Sequence, residues 1–314
     1  MNLLNKHVIT FFKRNPAISA TAVAKEANVP PASLRNAIAG GRPLPEKHLV
    51  SLFHVLKKYG FNEEDYNQAN VICVVNHKGG VGKTTTTMNL GKGLALEGKK
   101  VLLIDIDPQS NLTQHCGITT AETTIADTLL DDEPLPVQEV SENLWLVPSE
   151  LSLATAESKL VTDVNGWFKL RNSLRGVKSQ FDYILIDCPP SLGILTNNAL
   201  LTCNNVIIVI ETEYLAIKGL GVILKHVDGI KNNGLNDKLN IMGLLFTKVN
   251  TTVVSKTIIN ELRDVYKKRV FEASIRRNIA LVEAAGAGTD IFSYDSNCNG
   301  SQDYLELAKE IIER

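Results

Sequence analysis

Two lysines, three glycines and two threonines are grouped in one short stretch of this 314-residue chain, NHKGGVGKTT. The glycines can adopt positive φ and allow backbone N–H groups to curve around a phosphate. In such a loop Lys83 would reach the β and γ phosphates of a nucleotide, and the hydroxyl of Thr84 would bind Mg²⁺. The residue types and their spacing therefore predict a loop that binds a triphosphate. The alternative is a glycine-rich turn that binds nothing.

Carboxylates at two other places could complete a site for phosphoryl transfer, which needs a metal, neutralised charge and a positioned water. The apolar segment FDYILID ends in Asp187, where a carboxylate would hold Mg²⁺ through water. Asp105 and Asp107 follow the apolar segment KVLL, and carboxylates at i and i+2 on an extended chain point the same way, as a shared site for Mg²⁺ and water requires. The alternatives are an aspartate that caps the turn before Pro189 and a strand-end pair that makes a turn.

The sequence around the glycine-rich loop predicts a strand, a loop and a helix in that order. β-Branched residues are concentrated from Val71 to Val75, and after the loop Met88, Leu90 and Leu94 recur at helical spacing. In this arrangement the positive end of the helix dipole points at the bound anion. Further apolar strands alternate with helices along the chain. We therefore expect an α/β fold, with a mostly parallel sheet covered by helices on both faces and the ligand at the carboxyl edge.

Composition is that of an ordinary globular protein, with 44% hydrophobic and 21% charged residues. The formal net charge is −1, so any contact with nucleic acid would need a local basic patch. The five cysteines include no C-x-x-C pair, which argues against a disulfide framework, a metal site and an iron–sulfur carrier, and fits a reducing cytoplasm. The first residues predict a helix and not a signal peptide, and no segment predicts a membrane span.

The first 69 residues differ in character from the rest and predict a separate, all-α domain. Ile18–Gly41 has the pattern of two short helices around a tight corner, with Asn28 in the left-handed conformation that such a corner needs. A third helix, Glu46–Tyr59, would cover a small core. The polar segment Phe61–Asn70 would be the linker, which gives two domains, 1–69 and 70–314.

The two short helices resemble a helix-turn-helix unit. Its second helix, Pro31–Ala39, would direct Ser33, Arg35 and Asn36 outward as contacts to the bases or phosphates of DNA. The alternative is a small helical bundle that serves dimerisation, because helix-corner-helix patterns are common in all-α domains.

The loop KGGVGKTT is the deviant Walker A motif, and from about Val71 to the C-terminus the chain resembles the ParA/MinD family of ATPases. The resemblance implies a P-loop NTPase fold with ATP and Mg²⁺ as ligands. It implies that Lys78 crosses a dimer interface to the phosphates of the nucleotide in the partner subunit. It also implies that Asp107 positions or polarises the attacking water, so the expected catalytic residues are Lys78, Lys83 and Asp107.

By the same resemblance, residues of the glycine-rich loop bind ATP and residues of the two acidic segments belong to the metal site. The expected ATP-binding residues of the loop are Lys78, Gly79, Gly80, Val81, Gly82, Lys83, Thr84 and Thr85, and those of the metal site are Thr84, Asp105 and Asp187. The later segments FTKVN and EASIRRNIALVEAAGAG resemble elements that border the base, which adds Asn250 and Arg277.

Basic residues are concentrated late in the chain. In ParA-like proteins arginines of this region bind DNA without sequence preference when two subunits pair, because the dimer neutralises more phosphates. We expect Lys267, Lys268 and Arg276 to contact DNA in this way. A family arginine is replaced near Thr252, so one contact differs from the family pattern. The alternative is a solvated helix face on which Lys267–Arg269 favour a helix C-terminus.

The C-terminal segment SQDYLELAKEIIER is amphipathic but acidic on its polar face. Membrane-surface helices carry Lys and Arg on that face. We therefore expect this segment to pack on the core, which argues against the MinD branch of the family and against membrane binding.

The resemblance favours a cytoplasmic, nucleoid-associated partition ATPase. Its ATP-bound homodimers would adhere to DNA, and a ParB-like protein would stimulate hydrolysis, so that a plasmid or a chromosomal region is segregated. The N-terminal unit would add binding to an operator and repression of the protein's own operon. Two alternatives remain open: a DNA-binding regulator with a nucleotide switch, and an ATPase that positions a protein cluster.

Overall fold

The computed structural model describes residues 5–61, 69–213 and 216–314, and the chain divides into two compact units, Met1–Gln68 and Ala69–Arg314. Residues 62–68 of the expected linker lie outside the described residues. The two end residues of the expected linker belong to the folded units, because the Phe61 side chain is buried in the core of the first unit and Asn70 begins a strand.

The first unit contains four helices in its described part. Ser19 caps the second helix, since its hydroxyl accepts a hydrogen bond from the N–H of Ala22 at 3.3 Å. Asn28 has φ +55°, which confirms the left-handed corner expected from the sequence. The helices are α1 (Asn5–Arg14), α2 (Ala20–Glu26), α3 (Pro31–Ile38) and α4 (Glu46–Lys58).

A single small core holds these helices together. Phe11, Leu34 and Leu52 are fully buried in it, and the ring of Phe11 packs edge-on against Phe61. Burial of such side chains is the main source of stability for a unit of this size. Helix α3 buries Leu34 and leaves its polar residues, Arg35 and Asn36, exposed.

In the described part of the second unit, seven strands form one sheet in the order β3-β4-β2-β5-β1-β6-β7. All neighbouring strands are parallel except the antiparallel pair β3–β4. The strands are β1 (Asn70–Val75), β2 (Val101–Asp105), β3 (Gln138–Ser141), β4 (Leu144–Val147), β5 (Tyr183–Asp187), β6 (Asn205–Glu211) and β7 (Asn240–Thr247).

Helices cover both faces of this sheet, and two separate hydrophobic cores lie beneath them. Short 3₁₀ turns interrupt the chain at 166–168, 174–176, 178–180 and 267–269. The helices are α5 (Lys83–Leu96), α6 (Asn111–His115), α7 (Ile125–Asp131), α8 (Leu153–Thr162), α9 (Lys169–Ser173), α10 (Ile194–Thr202), α11 (Ala216–Asn232), α12 (Val253–Tyr266), α13 (Ile279–Gly286), α14 (Ile291–Tyr294) and α15 (Asn299–Glu313).

The mostly parallel sheet expected from the sequence is confirmed. Its strands read as continuous apolar runs because both faces are covered, and every residue of Val71–Val75 is buried. Strand β3 was not foreseen, because its sequence, Gln-Glu-Val-Ser, is polar and its pairing with β4 occurs at the edge of the sheet.

Helix α15 packs on the core, as its amphipathic sequence predicts. It buries Tyr304 and Leu307, and the Tyr304 hydroxyl lies 3.2 Å from the hydroxyl of Thr86 on α5. Helix α5 can approach closely because Gly93 faces Ala308. None of the described helices combines the length and apolar character needed to cross a bilayer.

The contact between Gly243 and Phe271 provides a stability test of this packing. A Cβ at Gly243 would lie 2.5 and 2.8 Å from two carbons of the buried Phe271 ring. We expect Gly243→Ala to lower the free energy of unfolding by about 1–3 kcal/mol through overpacking. Urea unfolding followed by tryptophan fluorescence reports on this unit, because Trp145 and Trp167 both belong to it.

The matched control is Gly229→Ala in α11, where a Cβ would meet no atom within 4 Å. This change should leave stability unaltered or raise it by about 0.5–1 kcal/mol, because alanine favours a helix. Equal effects of the two substitutions would contradict the packing described for β7.

Candidate nucleotide-binding site

The glycine-rich loop joins the end of β1 to the start of α5, as the sequence predicts. Gly80 and Gly82 have φ +73° and +95°, in the region that glycine adopts without strain. Gly79 does not adopt positive φ, although the sequence suggested it. Gly82 is the N-cap of α5, so the loop ends at the N-terminus of that helix, where the helix dipole is positive.

Two residues outside the motif hold the loop in place. The side chain of Asn76 donates to the carbonyl of Val209 on β6 and accepts from the N–H of Lys78 at 2.9 Å. The hydroxyl of Thr247, at the end of β7, donates to the carbonyl of Val81 at 2.7 Å. Sequence reasoning missed both, although each is a polar residue at the end of an apolar strand, which is the available signal.

The two lysines of the loop lie in different environments. Lys83 is 6% exposed, and its ammonium donates to the carbonyl of Lys78 at 3.1 Å. Burial lowers the pKa of Lys83, although nearby Asp187 favours its charged form. The side chain of Lys78 is 45% exposed and its ammonium contacts Glu213 at 2.7 Å and Glu211 at 3.4 Å.

Asp187 has the properties expected of a metal-site carboxylate. It is fully buried, and its Oδ1 accepts from the Thr87 hydroxyl at 3.4 Å, while Oδ2 has no hydrogen-bond partner among the described residues. Burial and the neighbouring Asp105 raise the pKa of Asp187 well above its usual range, and the Thr84 hydroxyl only partly offsets this. A buried carboxylate oxygen without a partner next to Thr84 and Lys83 fits a magnesium ion.

Asp105 lies beside Asp187 because β2 and β5 pair in register at these residues. Its Oδ1 accepts from the N–H of Asp107 at 3.1 Å, and its Oδ2 accepts from the N–H and hydroxyl of Thr113 at 2.9 and 2.7 Å. Burial raises the pKa of Asp105 to about 6, against the opposing effect of these donors. Both oxygens of Asp105 therefore already accept hydrogen bonds from the chain.

Asp107 is differently placed from Asp105. Its Oδ1 accepts from the N–H of Gln109 at 2.9 Å, and its carbonyl accepts from the Ser149 hydroxyl at 2.9 Å. The second carboxylate oxygen of Asp107 accepts no hydrogen bond from the described residues. Asp107 therefore retains an acceptor with which to hold a water molecule.

An open cleft of about 580 Å³ adjoins the loop. Its lining includes the charged residues Lys248 and Arg277 and apolar side chains such as Ile279 and Val282. Gly82 and Thr85 of the loop also line it, so a nucleotide with its phosphates in the loop could extend into the cleft. Arg277 lines this cleft, whereas Asn250 is exposed and does not line it.

Of the residues of the second unit expected to contact DNA, Arg276 lines this cleft, whereas Lys267 and Lys268 do not. Arg276 lines the cleft, but its Nε and Nη2 donate to the buried carboxylate of Asp303, and its side chain is 46% exposed. Part of the charge of Arg276 is therefore balanced within the chain. Lys267 and Lys268 are exposed in a 3₁₀ turn after α12, and Arg35 and Asn36 belong to the first unit.

The hydrogen bonds of Asp105 can be tested by replacing one oxygen with an amide. The Thr113 hydroxyl accepts from the N–H of Ser149 at 2.9 Å, so its own hydrogen is directed at Asp105. An Asn amide would place its NH₂ against a donor, and we expect Asp105→Asn to lower the free energy of unfolding by about 1–3 kcal/mol. The same change at Asp295, which is exposed, should alter stability by less than about 0.5 kcal/mol. If Asp105→Asn leaves stability unchanged but abolishes magnesium binding, Asp105 is a residue of the metal site.

Comparison with known proteins identifies the chain's relatives. Residues 69–241 match a family described as an AAA domain. The sporulation initiation inhibitor protein Soj of Bacillus subtilis is 42% identical over 247 residues, which cover 77% of this chain and 97% of that protein. The chromosome partitioning protein ParA of Myxococcus xanthus is 39% identical over 265 residues, which cover 82% of this chain and 93% of that protein.

Solved structures show the same fold. Cobyrinic acid a,c-diamide synthase from Mycobacterium smegmatis, with a bound ATP analog and magnesium, has a TM-score of 0.68 and 30% identity and covers 78% of this chain and 95% of its own. An ATP complex of McdA from Cyanothece has a TM-score of 0.70 and 25% identity, with coverage of 78% and 97%. The fold, the loop and the extent of these similarities show that the chain belongs to the ParA/Soj family of P-loop partitioning ATPases.

Proposed function

We propose that this protein is a magnesium-dependent partition ATPase that dimerises on ATP. The observation that carries the proposal is the pair of incompletely satisfied groups at the loop: the buried ammonium of Lys83 and the Oδ2 of Asp187. A triphosphate with Mg²⁺ would bring an anion to the first and a cation to the second. The ATP-analog and magnesium complex of the structural relative supports this assignment.

The residues at the loop account for ATP hydrolysis as follows. The N–H groups of Gly79–Thr85 and the ammonium of Lys83 would hold the phosphates, while Thr84 and Asp187 would hold the magnesium ion. Bound magnesium supplies neutralisation of phosphate charge. The free oxygen of Asp107 would orient a water, whose oxygen bonds to the γ phosphorus as the bond to the β–γ bridging oxygen breaks. ADP leaves with the bridging oxygen, and the proton of the water passes to the phosphate that forms. Protein contributes positioning and charge, with no covalent intermediate.

Lys78 is the residue that would link two subunits of the proposed dimer. This lysine stands at the mouth of the loop with its side chain half exposed, so its ammonium can reach beyond its own subunit. We infer a homodimer in which each Lys78 contacts the phosphates of the other subunit's nucleotide. Such a contact would make dimerisation depend on a triphosphate, because the lysine otherwise meets no anion across the interface.

DNA and a ParB-like protein are the proposed partners of this dimer. Lys267 and Lys268 present two exposed charges per subunit, and pairing of subunits doubles the number of phosphates that they neutralise. A ParB-like protein would stimulate hydrolysis and release the dimer from the nucleoid, so that plasmid or chromosomal DNA is segregated. The relatives named for chromosome partitioning support this role.

A DNA-binding regulator with a nucleotide switch is the second candidate. The observation in its favour is the first unit, where α2 and α3 meet at Asn28 and α3 leaves Arg35 and Asn36 exposed. In this case the first unit would bind an operator and repress the operon, with or without ATP.

Asp107→Ala tests the hydrolytic role. We expect ATP-dependent dimerisation to persist and hydrolysis to fall about 100-fold or more, because the water loses its acceptor while the phosphates keep theirs. Phosphate release and sedimentation with ATP measure the two properties. Asp295→Ala, which removes an exposed carboxylate, serves as the control. Loss of ATP binding in Asp107→Ala would instead assign Asp107 to the binding of nucleotide.

Two pairs of substitutions in the full chain separate partition from regulation. Replacing Lys267 and Lys268 by Ala should weaken ATP-dependent binding to random DNA and flatten its salt dependence by about one unit of slope per lost phosphate contact. Replacing Arg35 and Asn36 should leave that binding intact. Lys100→Ala, which removes an exposed lysine just before β2, is the control. The reverse result, with operator binding that persists in ADP, would favour the regulator.

A further inference from the structure

Lys78 is held by carboxylates of its own chain. Its ammonium lies 2.7 Å from Glu213 and 3.4 Å from Glu211, at and just beyond the end of β6. The Glu213 side chain is 53% exposed, whereas that of Glu211 is 11% exposed. Hydrogen bonding to Glu213 raises the pKa of Lys78, so the lysine stays charged in this position. The ammonium that would contact the partner subunit's nucleotide in the proposed dimer is therefore already paired within the single chain.

The other lysine of the loop is not held in this way. Lys83 donates to the carbonyl of Lys78, and within the described part of the chain it forms no ion pair with a carboxylate. Lys83 can therefore bind a phosphate without breaking an ion pair. Lys78 must first leave its two carboxylates before it can bind a phosphate. The two lysines respond differently to nucleotide although they belong to the same loop.

The position of Glu211 allows this exchange. Its Oε2 faces Lys78, and its Oε1 faces the ammonium of Lys248 at 3.8 Å. When Lys78 leaves, the largely buried carboxylate of Glu211 keeps Lys248 as its partner, which avoids the high cost of an unpaired buried charge. Glu213 returns to solvent at little cost, because it is exposed. The two glutamates thus hold Lys78 weakly, and its departure leaves neither of them as an unpaired buried charge.

We propose that Glu213 and Glu211 hold Lys78 within its own chain while no nucleotide is bound, and that Lys78 leaves them when two copies close on a triphosphate. The inference rests on the proposed function, since it describes how the same loop is restrained. Glu213 is a positioning residue that acts through Lys78. Its removal should make dimerisation easier, because the lysine then reaches the partner's phosphates without giving up an ion pair.

Amine labelling of the nucleotide-free protein tests the restraint directly. An acylating reagent modifies the neutral amine, so hydrogen bonding to Glu213 should slow modification of Lys78. We expect Glu213→Gln to speed the labelling of Lys78 by about two- to fivefold, the range for an exposed ion pair, while Lys256 is unaffected. The matched control is Glu272→Gln, which removes an exposed glutamate that pairs with Arg263. Unchanged labelling of Lys78 would overturn the proposal.

Dimerisation by the full chain provides the second test. Glu213→Gln should lower the ATP concentration for half-maximal dimerisation by about two- to fivefold, and Glu272→Gln should not. If the wild-type protein dimerises with ATP but Glu213→Gln needs an equal or higher ATP concentration for half-maximal dimerisation, the proposed restraint of Lys78 is wrong. Failure of the wild-type protein to dimerise with ATP would instead contradict the proposed function, and the labelling result would still decide whether Lys78 is held.

Discussion

A lysine and two aspartates lie almost without solvent at the carboxyl edge of the sheet, and the rest of the α/β unit depends on how they are accommodated. Burial of an ionised group is unfavourable unless partners compensate it. Asp105 is compensated by three donors, one from Asp107 and two from Thr113 of α6, whereas Asp187 and Lys83 are compensated only in part. This remaining imbalance makes the edge a binding site, because a nucleotide with its metal supplies the missing charges.

The parallel sheet places these groups together. Strand β1 lies between β5 and β6, and β2 lies on the far side of β5, so the loop, Asp187 and Asp105 all emerge at one edge. Two hydrophobic cores, one on each face, supply the stability that such a polar edge does not. Asn76 and Thr247 then bind the loop to the ends of neighbouring strands. The geometry of the loop is thus a property of the whole sheet.

Cations of this chain have different roles according to their partners. Lys78 is paired with Glu213, and Arg276 with Asp303, so both are restrained by contacts within the chain. Lys267 and Lys268 are exposed, and they remain available to a polyanion. Charge by itself does not distinguish these groups. The carboxylates that restrain Lys78 and Arg276 lie far from them in sequence. The packing of separate strands and helices brings each pair together.

Local chemistry let the sequence alone determine the strand-loop-helix around Lys83, the parallel sheet, the corner at Asn28 and the burial of α15. Each of these follows from apolar periodicity or from glycine and asparagine conformations, which act over a few residues. Tertiary structure alone decided that Asp105 is committed to Thr113, that Arg276 is bound to Asp303, and that Lys78 rests on Glu213. It also decided the polar edge strand β3. The physical reason is that hydrogen bonds and ion pairs depend on distances of a few ångströms, which the packing of distant segments sets.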